Sequence, residues 1–189
     1  RLSQYSDPEE QVLALDHSPQ LGITLIGGKA MKVTVLNEQT KKPVRVYEPG
    51  DTYAAGHTNR IFALKLVENA PNSFLSAGWD GTMFLWDVRA SKAALSVFGP
   101  VISGDALDVH DNLILTGSYR DKDSLELYDL RTLKKVCNLD WSLSPSGFNY
   151  VSSCRFSKNK DDGQYIIAGS CLSNQVGLFR RDIVYTNEL

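Results

Sequence analysis

Apolar and polar residues alternate in short runs along most of the chain, and clusters of turn-forming residues separate the runs. Arg60–Leu66 (RIFALKL), Ser73–Gly78 (SFLSAG), Thr82–Val88 (TMFLWDV) and Ala93–Gly99 (AALSVFG) are four such runs, divided by ENAPN, WDG and RASK. A period of two places every second side chain on one face, so each run predicts a strand with one face against a core. Asp80-Gly81 between two apolar runs marks a tight hairpin. The pattern continues with DALDV (105–109), NLILTG (112–117), SLELYD (124–129) and KKVCNL (134–139). It goes on through YVSSCRF (150–156), QYIIAG (164–169) and QVGLF (175–179), and a last strand is expected at IVYT (183–186). No stretch holds a helical period of 3.6.

The runs repeat as groups. Phe74–Arg89 (FLSAGWDGTMFLWDVR) lies on Leu113–Arg131 (LILTGSYRDKDSLELYDLR), with Trp86 and Tyr128, 42 residues apart, at the same place. Tyr165–Asp182 is a fainter copy with Phe179 at the aromatic position, and Ile23–Gln39 is the faintest. Four copies occupy roughly 11–50, 56–99, 101–141 and 148–189. Four strands per unit at a period of ~43 residues predict an all-β fold of four-stranded antiparallel blades, a β-propeller.

Within the second copy, Gly56-His57 precedes the first strand, Ser76 lies in the second, Asp80 in the hairpin and Trp86-Asp87 at the end of the third. These residues resemble the WD-repeat β-propellers. The resemblance implies a buried relay in which the Trp86 indole donates to Ser76, Ser76 to His57 and His57 to Asp80, so that each buried polar group has a partner. It implies a structural His57 rather than a catalytic one. The third copy has Tyr128-Asp129, Thr116 in the serine place, no Gly-His and a longer hairpin. The fourth has Phe179-Arg180 and Ala168, and the first Leu36-Asn37. Those blades are expected to lack the relay and to rest on packing alone. The family's usual ring has seven blades. The four here are therefore expected to belong to a larger propeller, completed by further blades of the same polypeptide or by another chain, and the four alone to be poorly soluble.

Composition narrows the function. Of 189 residues, 42% are hydrophobic, enough for a core. Twenty Lys and Arg against 22 Asp and Glu give a net charge of −2, so the overall field does not steer the chain to nucleic acid. Lys41-Lys42 and Arg180-Arg181 are too sparse for a phosphate track. No apolar run is long enough to span a membrane, and the opening RLSQYSDPEEQ is not a secretory leader. Cys137, Cys154 and Cys171 show no metal-ligand spacing, so neither a metal nor another cofactor is expected, and a reducing, intracellular, cytoplasmic setting is the simpler expectation. Gly27-Gly28 opens no phosphate loop. Glu9-Glu10, Asp121/Asp123 and Asp161-Asp162 fall in expected turns. No enzyme signature emerges, and the expectation is a non-catalytic scaffold for other proteins.

The resemblance also implies where partners bind. Rim positions in such propellers flank the first apolar residue of each first strand and precede the hairpin Asp. They map to Arg60, Phe62 and Trp79 in the second blade, Ser103 and Asp105 in the third, and Tyr150 and Ser152 in the fourth. Tyr119 and Arg120 extend the rim through the longer hairpin. Arg and large aromatics dominate binding hot spots, so an acidic or peptide-like partner is expected to pair with Arg60 and Arg120 while covering Trp79 and Tyr119; the alternative for Trp79 is packing over its own chain. Separately, Asp87-Val88-Arg89 and Asp129-Leu130-Arg131 look like the Asp-x-Arg motif with which WD-repeat receptors dock on cullin–RING ubiquitin ligase adaptors. The bland reading of each is a turn ion pair worth ~0–1 kcal/mol. A subunit role in a cytoskeletal or ciliary assembly is a further alternative.

Overall fold

The computed structural model describes residues 4–52, 55–141, 150–158 and 163–181. The chain divides into two compact units, Arg1–Gly99 and Pro100–Leu189.

The first unit holds two four-stranded antiparallel meanders. One is formed by β1 (Val12–Ser18), β2 (Ile23–Gly28), β3 (Val33–Asn37) and β4 (Pro43–Tyr47). The other is formed by β5 (Ile61–Leu66), β6 (Ser73–Gly78), β7 (Thr82–Asp87) and β8 (Ala93–Phe98). Register follows the apolar pattern: Leu25 faces Val35 across β2–β3, and Phe74 faces Trp86 across β6–β7. Leu25, Val33, Val35 and Tyr47 of the first sheet share one core with Leu64, Leu66, Phe74 and Trp86 of the second. Burying each such side chain fully contributes roughly 1.5–3 kcal/mol.

Polar contacts tie the same two sheets together. The Tyr47 ring lies 4.5 Å from Trp86, and its hydroxyl donates to the Asp87 carbonyl at 2.8 Å. Burial pushes the Tyr47 pKa up to about 12, so the hydroxyl stays a donor. Arg45 donates to the carbonyls of Val88 and Arg89, and Asp16 accepts the Leu66 amide. The expected Asp80-Gly81 hairpin is present, with Gly81 at φ 71°, where a side chain would be strained.

The second unit holds β9 (Leu107–His110), β10 (Leu113–Gly117), β11 (Leu125–Asp129) and β12 (Lys135–Asn138) in one meander. A second sheet has three described strands, β13 (Val151–Phe156), β14 (Tyr165–Ser170) and β15 (Val176–Arg180). The strand expected at 183–186 lies outside the described residues, as does Asp161-Asp162. Ile114, Leu115, Leu125 and Leu127 are fully buried, as is Ile166 of the neighbouring sheet. Gly117 is needed where the sheets meet, because a Cβ there would stand 2.3 Å from the Val151 side chain. The first strand begins at Leu107 rather than at Asp105, which precedes it.

The all-β class is as expected, and the sheets are antiparallel meanders of the kind that form propeller blades. One face of the last sheet leaves apolar side chains exposed. Ile167, opposite Leu178 in register, is 48% exposed, Leu178 67% and Val176 78%.

Candidate functional site

Four side chains of the second sheet form one hydrogen-bonded chain. Trp86 Nε1 donates to Ser76 Oγ at 2.7 Å. Ser76 Oγ lies 2.7 Å from His57 Nε2, and His57 Nδ1 lies 2.7 Å from Asp80 Oδ2. An ionised carboxylate only accepts, so Nδ1 carries the proton and Nε2 takes the serine hydrogen. Asp80 also accepts the amides of Thr58 and Thr82. Burial alone would raise its pKa, but the His57 and backbone hydrogen bonds outweigh this and hold it below the ordinary value. His57 is 1% exposed, with both ring nitrogens engaged and Phe84 edge-on at 4.8 Å. No face of the imidazole is left for a substrate.

This chain anchors the loop before β5 to the β6–β7 hairpin, and both present side chains at the same end of the sheet. The Trp79 amide donates to the Arg60 carbonyl at 3.0 Å. Trp79 is 44% exposed, and its ring lies 5.8 Å from Phe62, tilted. Arg60 is exposed and Phe62 half-buried. Trp79 thus leans on its own chain along one side and meets solvent on the other. Phe98, 80% exposed, was missed by sequence reasoning. It pairs with Thr82 at the end of β8, and its ring lies over Gly81. In AALSVFG it reads as an ordinary apolar strand residue, with no signal of its exposure.

The corresponding region of the second unit differs from expectation. Tyr128 does not rest on packing alone. Its hydroxyl donates to Glu126 Oε2 at 3.0 Å, and burial, reinforced by the Glu126 charge, raises its pKa far above the usual tyrosine range. Glu126 is 2% exposed and also accepts Arg120 Nη2 at 2.6 Å, with Lys135 Nζ at 3.4 Å. Thr116, in the serine place, donates to the Glu126 carbonyl at 3.5 Å. A carboxylate-centred cluster therefore stands where the relay is missing. Both faces of β11 are covered, which two-fold alternation in SLELYD does not reveal.

Arg120, expected on the rim to pair with a partner, is engaged within its own sheet. Its guanidinium turns inward to Glu126 and to the Asp123 carbonyl. Asp105 is ion-paired with Arg155, which also donates to the Leu107 carbonyl. Tyr119 and Tyr150 stack at 4.3 Å and 16°. The Tyr150 hydroxyl donates to Asp121 Oδ1 at 2.5 Å. Ser103 is half-buried, and Ser152 donates to the Gly169 carbonyl.

The two Asp-x-Arg copies are not alike. Arg89 grips Asp87 through two contacts, 2.9 and 2.6 Å, and holds its carboxyl down at about 2. Asp129 binds the Thr132 hydroxyl and the amides of Arg131 and Thr132, closing a turn. Among the described residues no three His, Cys, Asp or Glu side chains are grouped to hold a metal. No helix among them is long and apolar enough to cross a membrane. The three cysteines are free thiols. A cleft of about 320 Å³ opens between the β1–β2 and β5–β6 turns, lined by His17, Pro19, Gln20, Leu66, Glu68 and Pro71.

No protein-family model matches the chain. The chain is 32% identical over 88 residues to a guanine nucleotide-binding protein subunit beta of Arabidopsis thaliana, covering 44% of this chain and 22% of that protein. It is 27% identical over 86 residues to the ribosome biogenesis protein YTM1 of Lodderomyces elongisporus, covering 46% of this chain and 18% of that protein. The chain thus spans about a fifth of the length of these curated relatives. Among solved structures, the computationally designed Ika4 protein matches with a TM-score of 0.73 at 18% identity, over 95% of this chain and 97% of that one. The designed Ika8 protein matches with a TM-score of 0.66 at 18% identity, over 89% and 45%. The solved structures share the fold. The curated relatives support the WD-repeat resemblance, at low identity and over part of the chain.

Proposed function

We propose that this chain is part of a non-catalytic propeller scaffold that holds protein partners on its displayed loops. The observation that carries the reading is the surface of the first unit around Arg60, Phe62 and Trp79. It offers a large exposed aromatic and an exposed guanidinium on a loop and hairpin locked from beneath by the His57–Asp80 contact. Aromatic and Arg anchors on a pre-organised surface are what a binding hot spot needs. The similarity to a guanine nucleotide-binding protein subunit and to ribosome biogenesis proteins supports membership of a multi-protein assembly. Further sheets of a larger propeller would cover the apolar face formed by Ile167, Val176 and Leu178.

The test is affinity purification of the full-length protein from its own cells, with Arg60→Glu plus Trp79→Ala as the comparison. The double variant is expected to fold as the parent does and to lose its specific partners. Full retention of those partners rejects this surface.

A further inference from the structure

We infer that the Tyr119–Tyr150 stack, with Asp121 at its edge, is a seat for an arginine side chain of a partner protein. The inference rests on the scaffold reading above, and gives the partner's chemistry at a second surface. The stack is pre-formed: ring centroids are 4.3 Å apart and the planes 16° from parallel. Tyr150 covers one face of Tyr119, yet Tyr119 remains 39% exposed, so the free part of the ring lies away from Tyr150. The Tyr150 hydroxyl donates to Asp121 Oδ1 at 2.5 Å, which holds that carboxylate beside the stack. Asp121 is exposed, so its carboxylate keeps acceptor capacity for a further donor.

A π-face beside an oriented carboxylate selects for a planar cation. The guanidinium stacks on the ring and forks its N–H groups to the acid, which an ammonium does less well. Two arginines of this unit are committed elsewhere. Arg120, the next residue after Tyr119, is held by Glu126, and Arg155 by Asp105. Lys122 is the exposed cation of the same hairpin, and it follows Asp121 and precedes Asp123. The stack and carboxylate suit a basic segment, whereas the rim as a whole is expected to take an acidic or peptide-like partner.

The experiment is an NMR titration of the full-length protein, selectively labelled at tyrosine, with N-acetyl-arginine methylamide, followed at the Tyr119 and Tyr150 ring resonances. Its citrulline counterpart and N-acetyl-glutamate methylamide serve as neutral and acidic probes. Saturable shifts are expected with the arginine compound. The apparent affinity should fall at least fivefold for citrulline, for Asp121→Asn and for Tyr119→Leu, and stay unchanged in Trp79→Ala. Amide dispersion matching the parent shows that each variant is folded. Equal response to citrulline, preference for the glutamate probe, or no saturation at tens of millimolar arginine compound overturns the inference. The readout does not involve Arg60 or Trp79, so its failure leaves the partner-capture experiment intact, and the reverse holds.

Discussion

Asp16 Oδ2 accepts the backbone amide of Leu66 at 2.6 Å, joining the first strand of one sheet to the first strand of the next. The second unit repeats the device: Asp108 Oδ2 accepts the Phe156 amide at 2.9 Å. The two carboxylates hold the same register, Asp16 opposite Leu25 and Asp108 opposite Leu115. Each unit is therefore a pair of sheets joined by an apolar core and clamped at one end by a carboxylate. Asp16→Ala and Asp108→Ala should each cost ~1–3 kcal/mol by urea unfolding, because a partly or fully buried amide loses its acceptor. Asparagine at either place should recover part of that loss. Wild-type stability in both alanine variants would show that the clamp contributes nothing.

Removing Asp80 should be among the most damaging changes in the second sheet. Asp80→Ala strands the His57 Nδ1–H and the Thr58 and Thr82 amides together, a loss of roughly 2–4 kcal/mol. Trp86→Phe removes the donor to Ser76 and should cost less, about 1–2 kcal/mol. Denaturant midpoints of the two variants give the order directly.

The same carboxylate gives a pH dependence. Its folded-state pKa lies below the ordinary value, so the unfolded chain takes up the proton first as pH falls. Its contribution is complete above the unfolded value of ~3.9 and is lost as pH drops through the folded one. Acid titration of wild type should show a fall in stability below about pH 4 that is shallower in Asp80→Asn. Identical acid limbs would mean that Asp80 is not among the linked groups.

Glu126 separates a structural cation from a surface one. Arg120→Ala leaves a buried carboxylate short of a partner and should destabilise by ~2–4 kcal/mol. Arg60→Ala, on an exposed loop, should stay within about 0.5 kcal/mol. Parallel melts of the two variants decide the point, and equal effects would return Arg120 to the surface.

The three thiols should react unequally. Cys171 is exposed, while Cys137 and Cys154 are buried, and burial pushes the Cys154 pKa far above the usual thiol range. A neutral thiol reagent should therefore modify one cysteine per folded chain and three after unfolding. Fast reaction of all three in the native protein would contradict the packing of the second unit.

Strand positions and the blade-like grouping were legible in the chain because a half-buried strand writes its burial as a two-residue alternation. Sequence arithmetic put Ser76, Asp80 and Trp86 at fixed offsets, and their side chains meet because β6 and β7 pair through the Asp80-Gly81 hairpin. Glu126 and Phe98 were not legible. In SLELYD the glutamate falls on an alternate, ostensibly outward position, and only a sheet covered on both faces makes it a buried hub. Phe98 reads as an ordinary apolar strand residue, and its exposure follows from lying on the outermost strand.

The amino-acid order by itself thus determined the elements, their spacing and the residue types available at each turn, since these depend on local backbone preference and on neighbours within one hairpin. Which way Arg120 points, what Asp105 pairs with and whether two tyrosines stack were decided only by tertiary structure. Each depends on groups from separate strands and loops, 29 residues apart for Tyr150 and Asp121 and 50 for Arg155 and Asp105. An ion pair or ring stack forms only where packing brings such groups within a few ångströms.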